Sequence, residues 1–455
     1  MNSIKISFFI FSLFFSFFSI KGSSVDPVAR IYKRMENDSI RAAILTALQL
    51  GDMESVVDCQ NRIIDNYIAI GDTLSQEYFQ EIVIDQILEY EIGRYHNSII
   101  RGEKALEIIE NNPFIRSNLN KDVYSSIYEN LGRSFFMIEE WTKTLEAWLE
   151  WECFIDSNLY DNMDVRIRAG ADISRAYIKV DKVKEAREYL EKAYSLVRCF
   201  SYNVPIFTQI DTLGLYGFFL LTAGEYAHAN KIYDEILPLL YKVKEEINFD
   251  KEKATLVGIL LNDMSKLYTI LNDYEKALHF NESALNLYRG TDIKDENLAN
   301  ILTQLASLKA TQALQNNDQN PQAIIDQMDE CIKLQIEACD LIANIYGDES
   351  PQFLNFLSFL GALFDSSGLF DEAKDVYMAI LEKTESTANK SRSPIVALSR
   401  LIHLAEIEDK LNLDIQDKCY KLLDIINNFE PEIKKYGGYL PDYIWGFPIL
   451  ASYRM

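Results

Sequence analysis

One short register returns along this 455-residue chain and leaves few folds open to it. Its clearest copy sets Gly361, Phe364, Phe370, Ala373 and Tyr377 at fixed offsets. Four more align on it without a gap: Gly132/Phe135/Trp141/Trp148, Ser174/Tyr177/Val183/Ala186/Leu190/Ala193, Gly217/Leu220/Tyr226/Ala229/Tyr233 and Ser265/Tyr268/Tyr274/Ala277/Ala284. Self-similarity at such a period is the mark of a helical repeat array, in which each unit is one supersecondary element stacked on the next.

Packing explains the pattern. A single helix pair cannot bury its apolar face alone, so small residues (Gly132, Ser174, Gly217, Ser265, Gly361; Ala186, Ala229, Ala277, Ala373) are expected where two backbones approach, with large ones filling the neighbour. Enlarging an anchor should therefore clash. The register resembles the tetratricopeptide repeat, with its small residue early in the first helix, an aromatic near that helix's end and an alanine in the second. The resemblance implies an all-α, right-handed superhelical solenoid of antiparallel helix pairs. Thr144 stands where the alanine belongs in the Trp141 copy, and the proline that closes a family unit is mostly missing.

Anchors fall 42, 43 and 48 residues apart from Gly132 to Ser265, then 96 to Gly361, leaving room for a weaker unit near Ala306. The family period is about 34, so longer helices or linkers are expected. Tyr346-Gly347-Asp348-Glu349-Ser350-Pro351 resembles the junction in the elongated repeats of kinesin light chains. Weaker units read at Ile44/Ala47/Gly51/Met53, where Ile44 is large for an anchor, and at Glu89 to Tyr95 with Ala105; Ile395 to Lys410 and Asp414 to Asn428 read as a last pair. The organisation expected is a leader over 1–24, a helical array over 25–430 with its best units near 125–155, 168–198, 211–240, 258–289 and 354–384, and an aromatic Gly/Pro-containing tail over 431–455.

The leader reads as a secretory signal peptide: Lys5 in a polar start, an apolar core from Ile6 to Ile20, then Gly22 and Ser24 before a cut at Val25. The alternative is an uncleaved anchor, although the core is shorter than the ~20 residues a spanning helix needs. No cysteine near the cut could carry a lipid. The expected compartment is periplasmic or secreted, in a bacterial envelope. No later apolar run is long enough to cross a bilayer.

A hydrophobic fraction of 48% with only 10 Pro and 18 Gly suits a continuous folded core. The net charge of −24 repels nucleic-acid phosphates, so no nucleic-acid partner is expected. Six cysteines (Cys59, Cys153, Cys199, Cys331, Cys339, Cys419) are scattered, and Cys331 and Cys339 lie about 12 Å apart along one helix, too far to bond. Buried free thiols are the reading, with no Cys-x-x-Cys for zinc or redox chemistry. No phosphate loop, dinucleotide fingerprint, H-E-x-x-H or G-x-S-x-G is present. The isolated His96, His228, His279 and His403 read as solvated or capping residues, and Glu139-Glu140 and Glu245-Glu246 as solvated faces, since adjacent helical residues do not face one site. No catalytic residue, metal or cofactor is expected. Trp141, Trp148 and Trp151 read as core, while Trp445 lies outside the repeats.

In the family this chain resembles, the binding face falls one and four residues past the anchor and three before it. Carried over, this gives Arg133, Arg175, Phe218, Lys266, Ser307 and Ala362; Phe136, Ile178, Leu221 and Thr269; and Glu129, Ala171, Gly214, Asn262 and Ser358. With Lys179, the candidate groove residues are Arg133, Phe136, Arg175, Lys179, Phe218, Asn262 and Lys266. Four cations against so acidic a chain suggest a locally basic groove for a protein or peptide carrying carboxylates. The functional expectation is a non-catalytic binding scaffold. Its alternatives are the ligand-binding part of a signalling receptor and an exported glycan-binding protein. Bacterial arrays resembling this one often precede a membrane helix with a signalling module or a caspase-like peptidase. Those activities are not carried over to these 455 residues.

Overall fold

The structure, a computed structural model, describes residues 27–157, 162–247, 250–315, 320–387 and 393–407. The expected leader, the tail with Trp445, Cys419 and the second helix of the last pair lie outside those residues. Among the described residues there are eighteen α-helices and no strand. They fall into two compact units, one ending at Lys244 and the other beginning at Glu245.

In the first unit α1 (Pro27–Leu50) pairs with α2 (Met53–Ala69), and α3 (Gln76–Glu91) with α4 (Tyr95–Asn111). A short α5 (Pro113–Asn118) precedes α6 (Lys121–Met137) and α7 (Trp141–Ser157). Then come α8 (Met163–Lys179) with α9 (Val183–Phe200), a single 3-10 turn at Ser201–Asn203, and α10 (Ile206–Thr222) with α11 (Tyr226–Ile247). The second unit holds α12 (Lys251–Ile270) with α13 (Tyr274–Thr291), α14 (Glu296–Gln315) with α15 (Pro321–Tyr346), α16 (Pro351–Ser366) with α17 (Phe370–Thr387), and α18 (Ser393–Ile407). Short turns make partners antiparallel. Side chains of Ser75, Asn120, Asn162, Asp250, Asn320 and Ser350 cap the starts of first or second helices, satisfying amides that have no partner within the helix.

The register predicts where these helices touch. A Cβ added to Gly132 would lie 2.1 Å from Trp148 Nε1, one on Gly217 2.5 Å from Tyr233 Cε1, and one on Gly361 2.6 Å from Tyr377 Cε1. Each covering ring stands sixteen residues past its glycine. Where the anchor is serine the residue sixteen positions on is smaller, Leu190 after Ser174 and Asn281 after Ser265, and all four are fully buried. The second pair inverts the arrangement, with Gln86 as the large anchor and Gly102 opposite, whose added Cβ would fall 2.4 Å from Gln86 Nε2. Size is thus matched across the four glycine contacts, as close packing requires.

A second constant is the turn. Seven residues past the anchor the backbone enters the left-handed region, at Gly51, Gly93, Glu139, Asp181, Gly224, Asn272 and Gly368. The next amide then donates back to the carbonyl five residues earlier, as Glu140 N does to Phe135 O at 3.0 Å and Glu225 N to Leu220 O at 2.8 Å, closing the first helix.

Candidate functional site

The expected binding face builds up in the first unit from the first helices of consecutive pairs. On α6, Glu129 and Arg133 are one turn apart and their side chains meet at 2.8 Å. On α8, Arg168, Asp172 and Arg175 continue the row. Arg168 reaches Glu129 across the helices and Asp164 at 3.2 Å, Arg133 approaches Asp172 at 3.7 Å, and Arg175 pairs with Asp172. On α10, Asp211 takes both of its oxygens to Arg175 Nη2 at 2.6 Å, and Thr208 donates to Asp164 at 2.6 Å. One ladder of alternating charge therefore joins α6, α8 and α10.

Burial sets its electrostatics. Glu129 and Asp172 are almost wholly buried. Burial pushes the Glu129 carboxyl up, but Arg133 and Arg168 outweigh it and hold the group below its usual value. At Asp172 burial outweighs Arg133 and Arg175, so the carboxyl sits above its usual value. Burial would lower the guanidinium of Arg133, yet Glu129 and Asp172 keep it firmly protonated, as Asp211 and Asp172 do for Arg175. Nearby Tyr90 is pushed up to about 12 by burial.

The seven candidate residues are not equivalent. Arg175 spends both terminal nitrogens on Asp172 and Asp211. Arg133 is 38% exposed and engages through Nη2, leaving its other edge open. Lys179 holds its ammonium 5.2 Å above the Trp141 ring and 5.9 Å from Phe136, which meets Trp141 edge-on at 5.1 Å. Phe218 stands exposed on α10. In the second unit, Lys266 is tied to Asp263 at 2.9 Å. Asn262 is buried and accepts from Asn281 at 3.2 Å, so it faces the partner helix rather than open solvent. Three of the four expected cations therefore sit on carboxylates of their own unit, Arg133 and Arg175 in the first and Lys266 in the second, and only Lys179 stands on rings instead. Sequence reasoning missed Arg168, Asp172 and Asp211. The Arg175/Asp172 spacing of three was a readable hint, whereas the links between helices needed the structure.

Other expectations find their places. Trp148 and Trp151 are buried, Trp151 donating to Ser125 at 2.7 Å, and Trp141 is half-buried. His96, His228 and His279 are exposed, His228 beside Glu225 at 3.1 Å, and His403 is half-buried. Cys331 and Cys339 are buried free thiols, but Cys153 and Cys199 are exposed and Cys59 half-buried. Those two correct the reading of buried thiols: they stand on outward turns of α7 and α9, where no neighbouring helix covers them. Among the described residues no cluster could hold a metal, and no helix is long and apolar enough to cross a membrane.

Helix pairs closed at small residues, with second helices packed on the first helices of following pairs, define a tetratricopeptide-like repeat fold. No protein-family model matches the chain, and no curated protein matches it. Solved structures do. The apo form of RapI is 13% identical and aligns with 89% of this chain and 99% of its own at a TM-score of 0.51. NprR in complex with its cognate peptide NprX is 15% identical over 86% and 99%, with a TM-score of 0.46. A tetratricopeptide repeat protein from Parabacteroides merdae is 12% identical over 72% and 99%, at 0.45. Identities this low speak to the fold.

Proposed function

We propose that the chain is a non-catalytic scaffold that binds a protein or peptide partner through the first-helix face of its first unit. The observation that carries this reading is that two cations on the first helices of consecutive pairs, Arg133 and Lys179, stand in different settings. Arg133 is held from behind by Glu129 and Asp172 and keeps one donor edge open, while Lys179 stands over the Phe136 and Trp141 rings. A guanidinium fixed before binding loses little freedom when it takes a carboxylate, and aromatic rings beside it take an apolar side chain. The partner supported is a chain end or acidic segment with a neighbouring apolar residue. Export to the envelope rests on residues 1–24 and is tested by N-terminal sequencing of the mature protein.

The binding test is a peptide array with free carboxyl ends, probed with the wild type, Lys179→Ala and Arg133→Gln. The expected result is enrichment of acidic and apolar ends by the wild type and their loss in both variants. Equal binding by all three proteins refutes the reading.

A further inference from the structure

The second unit carries a cleft that the partner face does not use. It has a volume of about 630 Å³ and lies among α13, α14 and α15. Tyr274, Leu278 and Glu282 form one stripe of α13; Lys309, Gln312 and Gln315 come from α14, and Gln327 and Glu330 from α15. Its size is in the range of small-molecule sites, about 300–1,000 Å³.

The lining decides what fits. Three glutamines line the cleft, Gln312 and Gln315 exposed and Gln327 half-buried, and no hydrogen bond to a described residue engages their amides, so each can both donate to and accept from a ligand there. Lys309 is bound to Glu330 at 2.7 Å, and Glu282 adds a second carboxylate, leaving no free cation for an anion. Tyr274 and Leu278 supply an apolar strip along one wall. The stripe from Tyr274 to Glu282 is about 12 Å long by helix rise, which would hold only about four residues of an extended peptide but accommodates a compact ligand of two or three rings. We propose that this cleft binds a small neutral saccharide, its hydroxyls taken by Gln312, Gln315 and Gln327 and one ring face laid on Tyr274. A hydroxyl both donates and accepts, as does an amide, and the apolar face of a sugar ring suits an aromatic side chain.

The test is ligand-observed NMR and calorimetry on the full chain with maltotriose, cellotriose and N,N′-diacetylchitobiose, and with tetraglycine as the backbone-amide alternative. The wild type is compared with Gln312→Ala/Gln327→Ala, whose positions are partly or wholly exposed, and with Lys179→Ala from the other unit. Saccharide binding that weakens about tenfold in the glutamine variant, as the loss of two hydrogen bonds implies, and stays unchanged in Lys179→Ala supports the site. Binding of none of the three saccharides, binding indifferent to the glutamines, or binding of tetraglycine alone overturns it. Because Lys179→Ala abolishes only the partner face, the two readings fail separately.

Discussion

Replacing Gly132 with alanine should unseat Trp148, and the defect should be repaired from the other side of the interface. The new Cβ would lie 2.1 Å from Trp148 Nε1 and 2.4 Å from Cδ1, more than an ångström inside ordinary contact. Trp148 is 2% exposed and donates to the Glu129 carbonyl at 3.4 Å, so its ring cannot swing out without leaving the core and breaking that bond. Overpacking of this kind costs about 1–3 kcal/mol, and the lost hydrogen bond about 1 kcal/mol. Alanine returns roughly 1 kcal/mol in helix propensity. The net destabilisation is about 2 kcal/mol. Trp148→Leu alone leaves a hollow above Gly132 and should cost about 2–3 kcal/mol. The double variant Gly132→Ala/Trp148→Leu approaches the Ser174/Leu190 arrangement and should cost about 2 kcal/mol less than the sum of the single changes. Urea unfolding followed by circular dichroism gives the energies, and hydrogen exchange in α6 and α7 locates them. Additive costs within about 0.5 kcal/mol would show that the ring and the glycine do not share a contact, and would refute the size-matching argument.

Three further outcomes are expected of the protein. Burial pushes the Asp85 carboxyl up to about 6 against the pull of Arg101 at 2.6 Å; since the folded state then holds its proton more tightly than the unfolded one, the stability Asp85 gives is present below about pH 4 and lost through about pH 6. Urea unfolding at pH 4 and 6.5 should therefore show wild type losing on the order of 2–3 kcal/mol relative to Asp85→Asn, and parallel pH profiles would contradict it. Thiol labelling of the native protein, mapped by mass spectrometry, should mark Cys153 and Cys199 within minutes and spare Cys331 and Cys339, whose thiols burial pushes up to about 11. At the turns, Glu139→Gly should raise the thermal midpoint and Gly224→Ala lower it, each by about 1 kcal/mol in stability, because both positions are left-handed; an unchanged midpoint for both would count against the turn's importance.

The fold was legible where one residue type does one job. Gly132, Gly217 and Gly361 stand out because only a missing side chain admits the opposing ring, and the alanines repeat at their own offset. The second pair was read only vaguely because Gln86 and Gly102 exchange the large and small roles, which hides them from a search for small anchors. Gly258, seven residues ahead of Ser265, lies so close beneath Tyr288 that an added Cβ would fall 2.1 Å from its Cε2, and a one-anchor register cannot announce it. The turn escaped for another reason: Glu139, Asp181 and Asn272 share a backbone conformation with Gly224 and Gly368 but no side-chain chemistry. At the binding face the cations were visible and their neutralisation was not. Asp172 is three residues from Arg175 in sequence, but its approach to Arg133 depends on how α6 and α8 are aligned.

The alternation of lock and key across the helix pairs also bears on how such a chain can change over generations. A crossover falling between pairs, after Ser157 for instance, delivers each first helix together with the second helix cut to fit it. A crossover inside a turn, at Glu139 or Asp181, would join the Ser174 helix to Trp148, or the Gly132 helix to Leu190, giving a collision in one product and a void in the other. Inheritance of these repeats is therefore expected to proceed by whole pairs, with the breakpoints confined to the linkers between them.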